Sequence, residues 1–287
     1  MRRILIPTFL LVCVLFVPTA AEGRLLVGIG DQNPSAYHDP SMRKLTKLKT
    51  ARLAIPWDWY KDAYWTARTD EWVAAVRAER LRPLISFNRN WKRGGNRLVP
   101  KMSRYKHSFR LLRKRYPHVR DFSPWNEPNS VDQPFARKPR LAARYFNAMR
   151  SACRRCTVTA GGVNDGANMV RWINAYKRKV RGAKVWALHN YKDSTRARGG
   201  TAVFLRLVRG SVWLTETGGL RNRGGLRGQA KAVKRVFALA RKSRRIKRIY
   251  FYQWRHVTGR SWDSAFVSAN GKRRPAYYAL RAGLRRR

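Results

Sequence analysis

Two short stretches of this chain, SPWNEPN at Ser123–Asn129 and VWLTETG at Val212–Gly218, share one pattern. In each, a short apolar run ends at a single glutamate, Glu127 or Glu216, and a turn and a helical pattern follow. A carboxylate at the mouth of a buried strand costs free energy unless it is paired or used in chemistry. Two such carboxylates are the minimum equipment for hydrolysing a glycosidic bond. Ion pairing with the abundant arginines is the structural alternative.

Outward from these stretches, the succession of apolar run, turn and helical segment occurs eight times. Predicted helices include Asp70–Leu81, Leu141–Ala152 and Ala202–Val208. Eight strand–helix units in one chain predict an α/β fold, a single-domain (β/α)8 TIM barrel. A doubly wound open sheet is the rival, but no GxGxxG turn follows the first run. The eight runs are Leu25–Ile29, Ala51–Trp57, Pro83–Phe87, Val119–Asn126, Thr157–Val163, Lys184–Asn190, Val212–Thr215 and Ile249–Trp254.

Polar and aromatic residues gather where these runs end. In a barrel the carboxyl ends of the strands meet at one mouth, which carries the catalytic groups. Each residue also has a structural interpretation: Asp58 and Asp165 suit helix caps or arginine partners, and His189 suits a hydrogen-bonded core histidine. The strand-end residues are Asp31, Trp57, Asp58, Asn88, Asn126, Glu127, Asn164, Asp165, His189, Tyr191, Glu216, Gln253 and Trp254.

The chain is strongly basic, with 64 Lys and Arg against 15 Asp and Glu and a formal net charge of +49. Such a charge makes nucleic acid, anionic membranes and acidic glycans candidate partners. The basic residues are scattered along the chain, which favours a generally cationic surface over a dedicated nucleic-acid site. With 11 Trp, 12 Tyr and 11 Phe among 287 residues, the chain has ample material for a folded core.

The first 21 residues predict a cleaved signal peptide, which leaves residues 22–287 as the mature domain. Arg2 and Arg3 precede an apolar run, and Thr19-Ala20-Ala21 has the small residues of a cleavage site. An uncleaved membrane anchor is the alternative, because the apolar run approaches the length that spans a bilayer. Cleavage predicts a secreted or envelope-associated protein. In such a protein, Cys153 and Cys156 are expected to form a disulfide.

The strand-end residues resemble those of clan A glycoside hydrolases, a large retaining group with barrel folds. Trp125–Asn129 resembles the Asn-Glu motif at the end of the fourth strand, which implies that Glu127 is the acid/base and Asn126 a substrate contact. Glu216 matches the nucleophile at the end of the seventh strand. His189-Asn190-Tyr191 is similar to the sixth-strand motif, whose tyrosine hydrogen-bonds the nucleophile. Trp254 resembles the tryptophan that floors the sugar site.

The resemblance looks closest to the group of β-xylosidases and α-L-iduronidases, or to the endoglucanase-like group. In the latter an arginine stands two residues before a proline on the second strand. Here that position is Ala54, and Arg52 lies one inward step lower. The resemblance implies an exported retaining glycosidase that acts on a β-linked glycan or glycoside without metal or cofactor. The expected substrate contacts are Asn126, His189, Tyr191, Trp254, Trp57 and Asp58.

Two other functions fit the same sequence. One is a glycan-binding barrel that has lost turnover, and the other is a cationic surface protein that binds polyanions. The sequence also suggests an anionic glycan as substrate, because basic residues are frequent in the loops expected at the mouth. In the glycosidase interpretation, the charge of Glu216 is expected to raise the pKa of Glu127.

Overall fold

Parallel strands form the centre of the fold, and the structure, a computed structural model, describes residues 24–286. The predicted signal peptide lies outside the described residues. Within them nine strands make one sheet, in the order β5-β4-β3-β2-β1-β9-β8-β7-β6. They are β1 (Leu26–Gly30), β2 (Thr50–Pro56), β3 (Arg82–Asn88), β4 (Asp121–Ser123), β5 (Thr157–Val158), β6 (Ala160–Asn164), β7 (Val185–His189), β8 (Ser211–Thr217) and β9 (Ile246–Tyr252).

Strands β5 and β6 are two parts of one barrel strand, because only Thr159 separates them. β5 pairs with β4 on one side, and β6 pairs with β7 on the other. The Thr159 N–H donates to the carbonyl of Phe122 at 2.9 Å. The sheet is therefore a nearly closed barrel, which confirms the predicted (β/α)8 class and excludes the open, doubly wound sheet.

The α-helices follow the strands along the chain, as expected of strand–helix units. The predicted helix over Asp70–Leu81 begins earlier, at Ala63, because the Asp62 side chain accepts the N–H of Tyr64 at 3.0 Å. The helices are α1 (Pro40–Arg43), α2 (Ala63–Ala78), α3 (Met102–Arg115), α4 (Pro139–Ala152), α5 (Met169–Lys177), α6 (Tyr191–Arg196), α7 (Gly200–Leu207), α8 (Gly225–Lys242) and α9 (Pro275–Arg285).

The sixth unit has two short helices, α6 and α7, where the sequence predicts one. The carboxylate of Asp193 accepts the N–H of Gly199 at 2.9 Å and the N–H of Thr201 at 3.0 Å. These bonds satisfy N–H groups at the start of α7 and separate it from α6. Tyr191 therefore begins a helix of its own at the barrel mouth.

The fourth strand is shorter than the predicted run of Val119–Asn126. It ends at Ser123 because Pro124 has no N–H to continue the ladder. The chain nevertheless stays beside β3, since the N–H of Asn126 donates to the carbonyl of Phe87 at 2.7 Å. This contact fixes the segment that carries Glu127.

Helix α3 shows how the outer layer packs on the sheet. Tyr105, Phe109 and Leu112 are buried along one face, as their spacing predicts. The Phe109 ring lies 5.0 Å from the ring of Phe122 on β4, edge to face.

Cys153 and Cys156 form a disulfide directly after α4, with an S–S distance of 1.98 Å. This confirms the predicted pairing. None of the helices described is long and apolar enough to cross a membrane.

Candidate active site

A cavity of about 920 Å³ opens at the carboxyl ends of the barrel strands. Both glutamates, Glu127 and Glu216, line it, as do Asn126 and Tyr191. Four of the site residues predicted from the strand ends therefore line one cavity. Other lining residues are Gln32, Ala54, Tyr64, Trp65, Arg68, Asn88, Trp91, Asn164, Asp165, Gly166, Lys192, Thr195, Arg196, Leu220, Arg223, Tyr252, Arg260 and Trp262.

Glu127 is held in an uncommon backbone conformation, with φ at 44°. Its N–H donates to the carbonyl of Gly162 at 2.9 Å, which ties the segment after β4 to β6. Gly162 permits this approach, since its φ is +71° and an added Cβ would lie 2.8 Å from the carbonyl oxygen of Trp125. Strain of this kind persists where the surrounding structure imposes it, and it clusters at functional sites.

Glu216 lies near the end of β8 and accepts two hydrogen bonds from neighbouring strand units. The Arg52 Nη1 donates to Oε2 at 2.8 Å, and the Tyr191 hydroxyl donates to Oε1 at 3.2 Å. Burial raises the pKa of Tyr191 well above its usual range, so the hydroxyl keeps the proton that it donates. Both contacts stabilise negative charge on Glu216.

Arg52 bonds to both of the segments that carry the glutamates. The sequence left its role open, because it lies two residues before Ala54, where the resemblance expects the arginine. Its side chain is 2% exposed, and its Nη2 donates to the Asn126 side-chain oxygen. Residues two apart on a strand point to the same face. Arg52 thus starts one layer below Ala54, and its length brings the guanidinium up to Glu216.

His189 lies between the two glutamates and is almost fully buried. Its Nε2 is 3.5 Å from Nη2 of Arg52, and a guanidinium only donates, so Nε2 is the accepting nitrogen. The proton of the neutral ring is therefore assigned to Nδ1, which donates to Oε1 of Glu127 at 2.9 Å. The same Nδ1 lies 3.7 Å from Oε2 of Glu216.

The enclosed position of these groups shifts their titration. Burial raises the pKa of Glu127 from 4.5 to about 7, and the positive charge of Arg52 partly opposes this rise. The direction is the one expected from sequence, but the cause is removal from water rather than repulsion by Glu216. Burial lowers the pKa of His189 to about 3, so its ring is neutral near pH 7.

Four predicted substrate contacts do not line this cavity: His189, Trp57, Asp58 and Trp254. Trp57 is buried, and the Asp58 carboxylate accepts the Asn90 side-chain N–H at 2.7 Å. Trp254 is fully buried with its ring stacked on Phe266 at 5.9 Å, so it packs in the core instead of flooring the cavity.

Two aspartates at strand ends serve structure. Asp165 accepts the N–H groups of Lys192 at 3.1 Å and Asp193 at 2.7 Å, and so satisfies the start of α6, as the capping alternative predicts. Asp31 accepts the N–H of Trp254 at 2.7 Å and joins the ends of β1 and β9. Burial raises the pKa of each carboxyl to about 6.

Sequence reasoning missed the aromatic walls of the cavity. Trp65 and Trp91 lie with ring centroids 4.6 Å apart, and Trp262 packs edge-on against Tyr191 at 4.8 Å. Trp91 and Trp262 are 39% and 38% exposed. Tryptophans within polar loop segments such as Arg89–Arg97 were the available signal, since no buried strand or helix pattern accounts for them.

Among the described residues, no group of three or more His, Cys, Asp and Glu side chains could hold a metal ion.

No protein-family model matches the chain, and no curated protein matches its sequence. Solved structures do match. A family 39 glycoside hydrolase from the gut symbiont Bacteroides cellulosilyticus WH2 is 15% identical, with a TM-score of 0.66 over 92% of this chain. The chain spans 64% of that protein's length.

Two further neighbours cover the same share of this chain, 92%. GH5_18 from Streptomyces cattleya, solved in complex with GlcNAc, is 15% identical, with a TM-score of 0.71 over 80% of its own length. Xylanase 10B from Thermotoga maritima is 13% identical, with a TM-score of 0.64 over 96% of its length. At this level of identity the likeness concerns the fold alone: the chain has the same type of (β/α)8 barrel as these three neighbours.

Proposed function

We propose that this protein is a retaining glycoside hydrolase in which Glu216 is the nucleophile and Glu127 the acid/base. One observation carries the proposal: both glutamates line one cavity and both lie beside Nδ1 of His189, at 2.9 and 3.7 Å. The glycoside hydrolases with the same fold support it. Hydrolysis of O-glycosidic bonds in a β-linked glycan or glycoside is the reaction proposed.

The two distances from His189 limit the separation of the carboxylates. The Glu127 Oε1 and Glu216 Oε2 atoms are at most about 6.6 Å apart, because they lie 2.9 and 3.7 Å from the same nitrogen. Retaining enzymes need about 5–5.5 Å between their carboxyl groups. An inverting enzyme needs roughly 6.5–9.5 Å between its carboxyl groups to admit a water molecule. The geometry therefore favours retention.

Glu216 attacks the anomeric carbon in the proposed first step. Arg52 and Tyr191 hold its two oxygens from different strand units and thereby orient the carboxylate. The glycosyl–enzyme bond forms at Glu216 as the bond to the leaving oxygen breaks.

Glu127 donates a proton to that leaving oxygen. In the second step it removes a proton from water, whose oxygen bonds to the anomeric carbon as the bond to Glu216 breaks. Because the His189 N–H occupies Oε1, the proton of the neutral acid is placed on Oε2. The pKa of about 7 lets a substantial fraction of Glu127 carry this proton near neutral pH. The same group can then act as base after it has lost its proton.

Export is part of the proposal. Its support is the leader-like pattern of residues 1–21 together with the disulfide between Cys153 and Cys156, since disulfides persist in oxidising compartments. N-terminal sequencing of the protein from the culture medium is the direct measurement, and a retained leader would contradict cleavage.

A panel of aryl glycosides tests the function, with Glu216→Ala and Glu127→Ala as the variants. Glu216→Ala should lose turnover. Azide should restore turnover of the aryl glycoside and give a glycosyl azide of inverted configuration as the product. Glu127→Ala should spare the first step for substrates with good leaving groups and then stall at the glycosyl–enzyme. Glu71→Ala, at a side chain that is 64% exposed on α2, is the matched control and should keep full activity.

Proton NMR of the first product decides the stereochemistry. A retained anomer is expected, and an inverted one would refute the assignment of Glu216 as nucleophile. Binding of glycans without turnover of any of them would instead favour the inactive glycan-binding barrel.

A further inference from the structure

The walls of the cavity differ in charge. Four cationic side chains line it from the segments that follow β7, β8 and β9: Lys192, Arg196, Arg223 and Arg260. All four are exposed. Among residues 24–286, none of these four side chains has a carboxylate within 4.0 Å. We call this set the cationic wall.

The segments after β2 and β3 supply a wall of another kind. Tyr64, Trp65 and Trp91 line the cavity there, and the rings of Trp65 and Trp91 are inclined by only 31°. Flat apolar rings of this kind offer a surface on which a sugar ring can stack. Arg68 also lines the cavity, but it lies 4.0 Å from Glu71 and therefore has an acidic neighbour.

An anionic sugar in this cavity meets opposing fields. The catalytic glutamates repel it, because Glu216 carries negative charge in the proposed mechanism. The cationic wall sets four positive charges against that repulsion, and arginine binds carboxylate and sulfate through paired, charge-assisted hydrogen bonds. A neutral sugar offers these four cations no anionic group to bind.

We propose that the substrate is an anionic glycan whose carboxylate or sulfate groups bind Lys192, Arg196, Arg223 and Arg260. A neighbouring sugar stacks on the aromatic wall. This inference rests on the proposed function, whose site it shares, but binding can test it without turnover. A cationic surface without selectivity for the cavity is the competing explanation, since the whole chain is basic.

The binding experiment uses three hexasaccharides: hyaluronan, which carries carboxylates only; heparin, which carries carboxylates and sulfates; and cellohexaose, which is neutral. The full chain with Glu216→Gln prevents turnover. Calorimetry at low salt should show at least about tenfold tighter binding of one anionic hexasaccharide than of cellohexaose. Tight binding of hyaluronan would show that carboxylates suffice, and tight binding of heparin alone would show that sulfates are required.

The matched variants separate the cavity from the general surface. The wall variant carries Arg196→Gln, Arg223→Gln and Arg260→Gln. The control variant carries Arg104→Gln, Arg110→Gln and Arg241→Gln, which are exposed on α3 and α8 and remove the same charge. Because exposed ion pairs each contribute a few-fold, the wall variant should weaken anionic binding about tenfold, and the control variant less than about twofold.

Kinetics complete the test with an aryl β-glucuronide and the matching aryl β-glucoside, which differ at one carboxylate. We expect kcat/KM of the wild type to favour the glucuronide, and the wall variant to lose that preference. Equal binding of all three hexasaccharides, or equal losses in the wall and control variants, would overturn the inference. If anionic glycans bind through the cationic wall but none is hydrolysed, the inference about binding stands and the proposed hydrolase function fails.

Discussion

Replacement of Glu127 by glutamine should stabilise the protein at alkaline pH and leave its stability nearly unchanged in acid. Burial raises the pKa of this carboxyl from 4.5 to about 7 in the folded state. Between these values the folded protein keeps a proton that the unfolded chain has lost. The free energy of unfolding therefore falls as pH rises, since the contribution is present below pH 4.5 and is lost through pH 7.

The magnitude follows from the shift. Each pKa unit corresponds to about 1.4 kcal/mol, so an ionised Glu127 destabilises the fold by about 3 kcal/mol at pH 8 relative to pH 4. Glutamine does not titrate and keeps a side chain of the same shape. The difference in unfolding free energy between Glu127→Gln and wild type should thus grow by about that amount across the range.

Urea unfolding of both proteins at pH 4, 6 and 8 measures this difference. Asp31 and Asp165, whose pKa values burial also raises, occur in both proteins, so their effects cancel. Glu71→Gln on α2 controls for loss of a glutamate at an exposed site. If the difference for Glu127→Gln stayed constant with pH, burial would not perturb this carboxyl, and its protonation near pH 7 would lose its physical basis.

Two further predictions concern Arg52 and the disulfide. Arg52→Met should lower kcat by about 10²–10³, because Glu216 loses a charged donor, and should move the alkaline limb of the pH profile upward, because Arg52 lowers the pKa of Glu127; an unmoved limb would contradict that coupling. Cys153→Ser with Cys156→Ser should reduce the unfolding free energy by less than the ~3 kcal/mol expected for a 15-residue loop and leave kcat/KM unchanged. Thermal unfolding and steady-state kinetics test the second, and a loss of turnover would argue against a purely structural disulfide.

The placement of Glu127 and Glu216 was predictable because it depends on strand ends alone. Buried apolar runs mark parallel strands, and the carboxyl ends of parallel strands meet at one mouth of a barrel. Tyr191 followed from the same logic, although it begins a helix rather than continuing a strand. The cause of the raised Glu127 pKa could not be predicted from the sequence, because removal from water depends on how other segments pack around the carboxyl in the folded barrel.

The direction in which a side chain points beyond a strand end also could not be predicted from the sequence. Trp254 follows β9 at the predicted point, but its ring turns into the core and stacks on Phe266. Arg52 looked displaced by one inward step, yet the length of its side chain compensates for that step. Spacing fixes which strand end a residue occupies, whereas rotamer and backbone path decide whether it reaches the cavity.

Ion pairing distinguishes Asp121, a structural carboxylate, from Glu127, the proposed acid/base. Asp121, at the start of β4, is fully buried and bonds Arg82 at 2.6 Å and Arg248 at 2.5 Å, so its charge is compensated. Glu127 lies just beyond the other end of β4, in a chain with 64 basic residues. Among the described residues, no lysine or arginine nitrogen lies within 4.0 Å of its carboxyl, and its ion-pair neighbour is a neutral histidine. Under the proposed function, the absence of a close cation among residues 24–286 leaves the pKa of Glu127 at about 7, so that this carboxyl can transfer a proton.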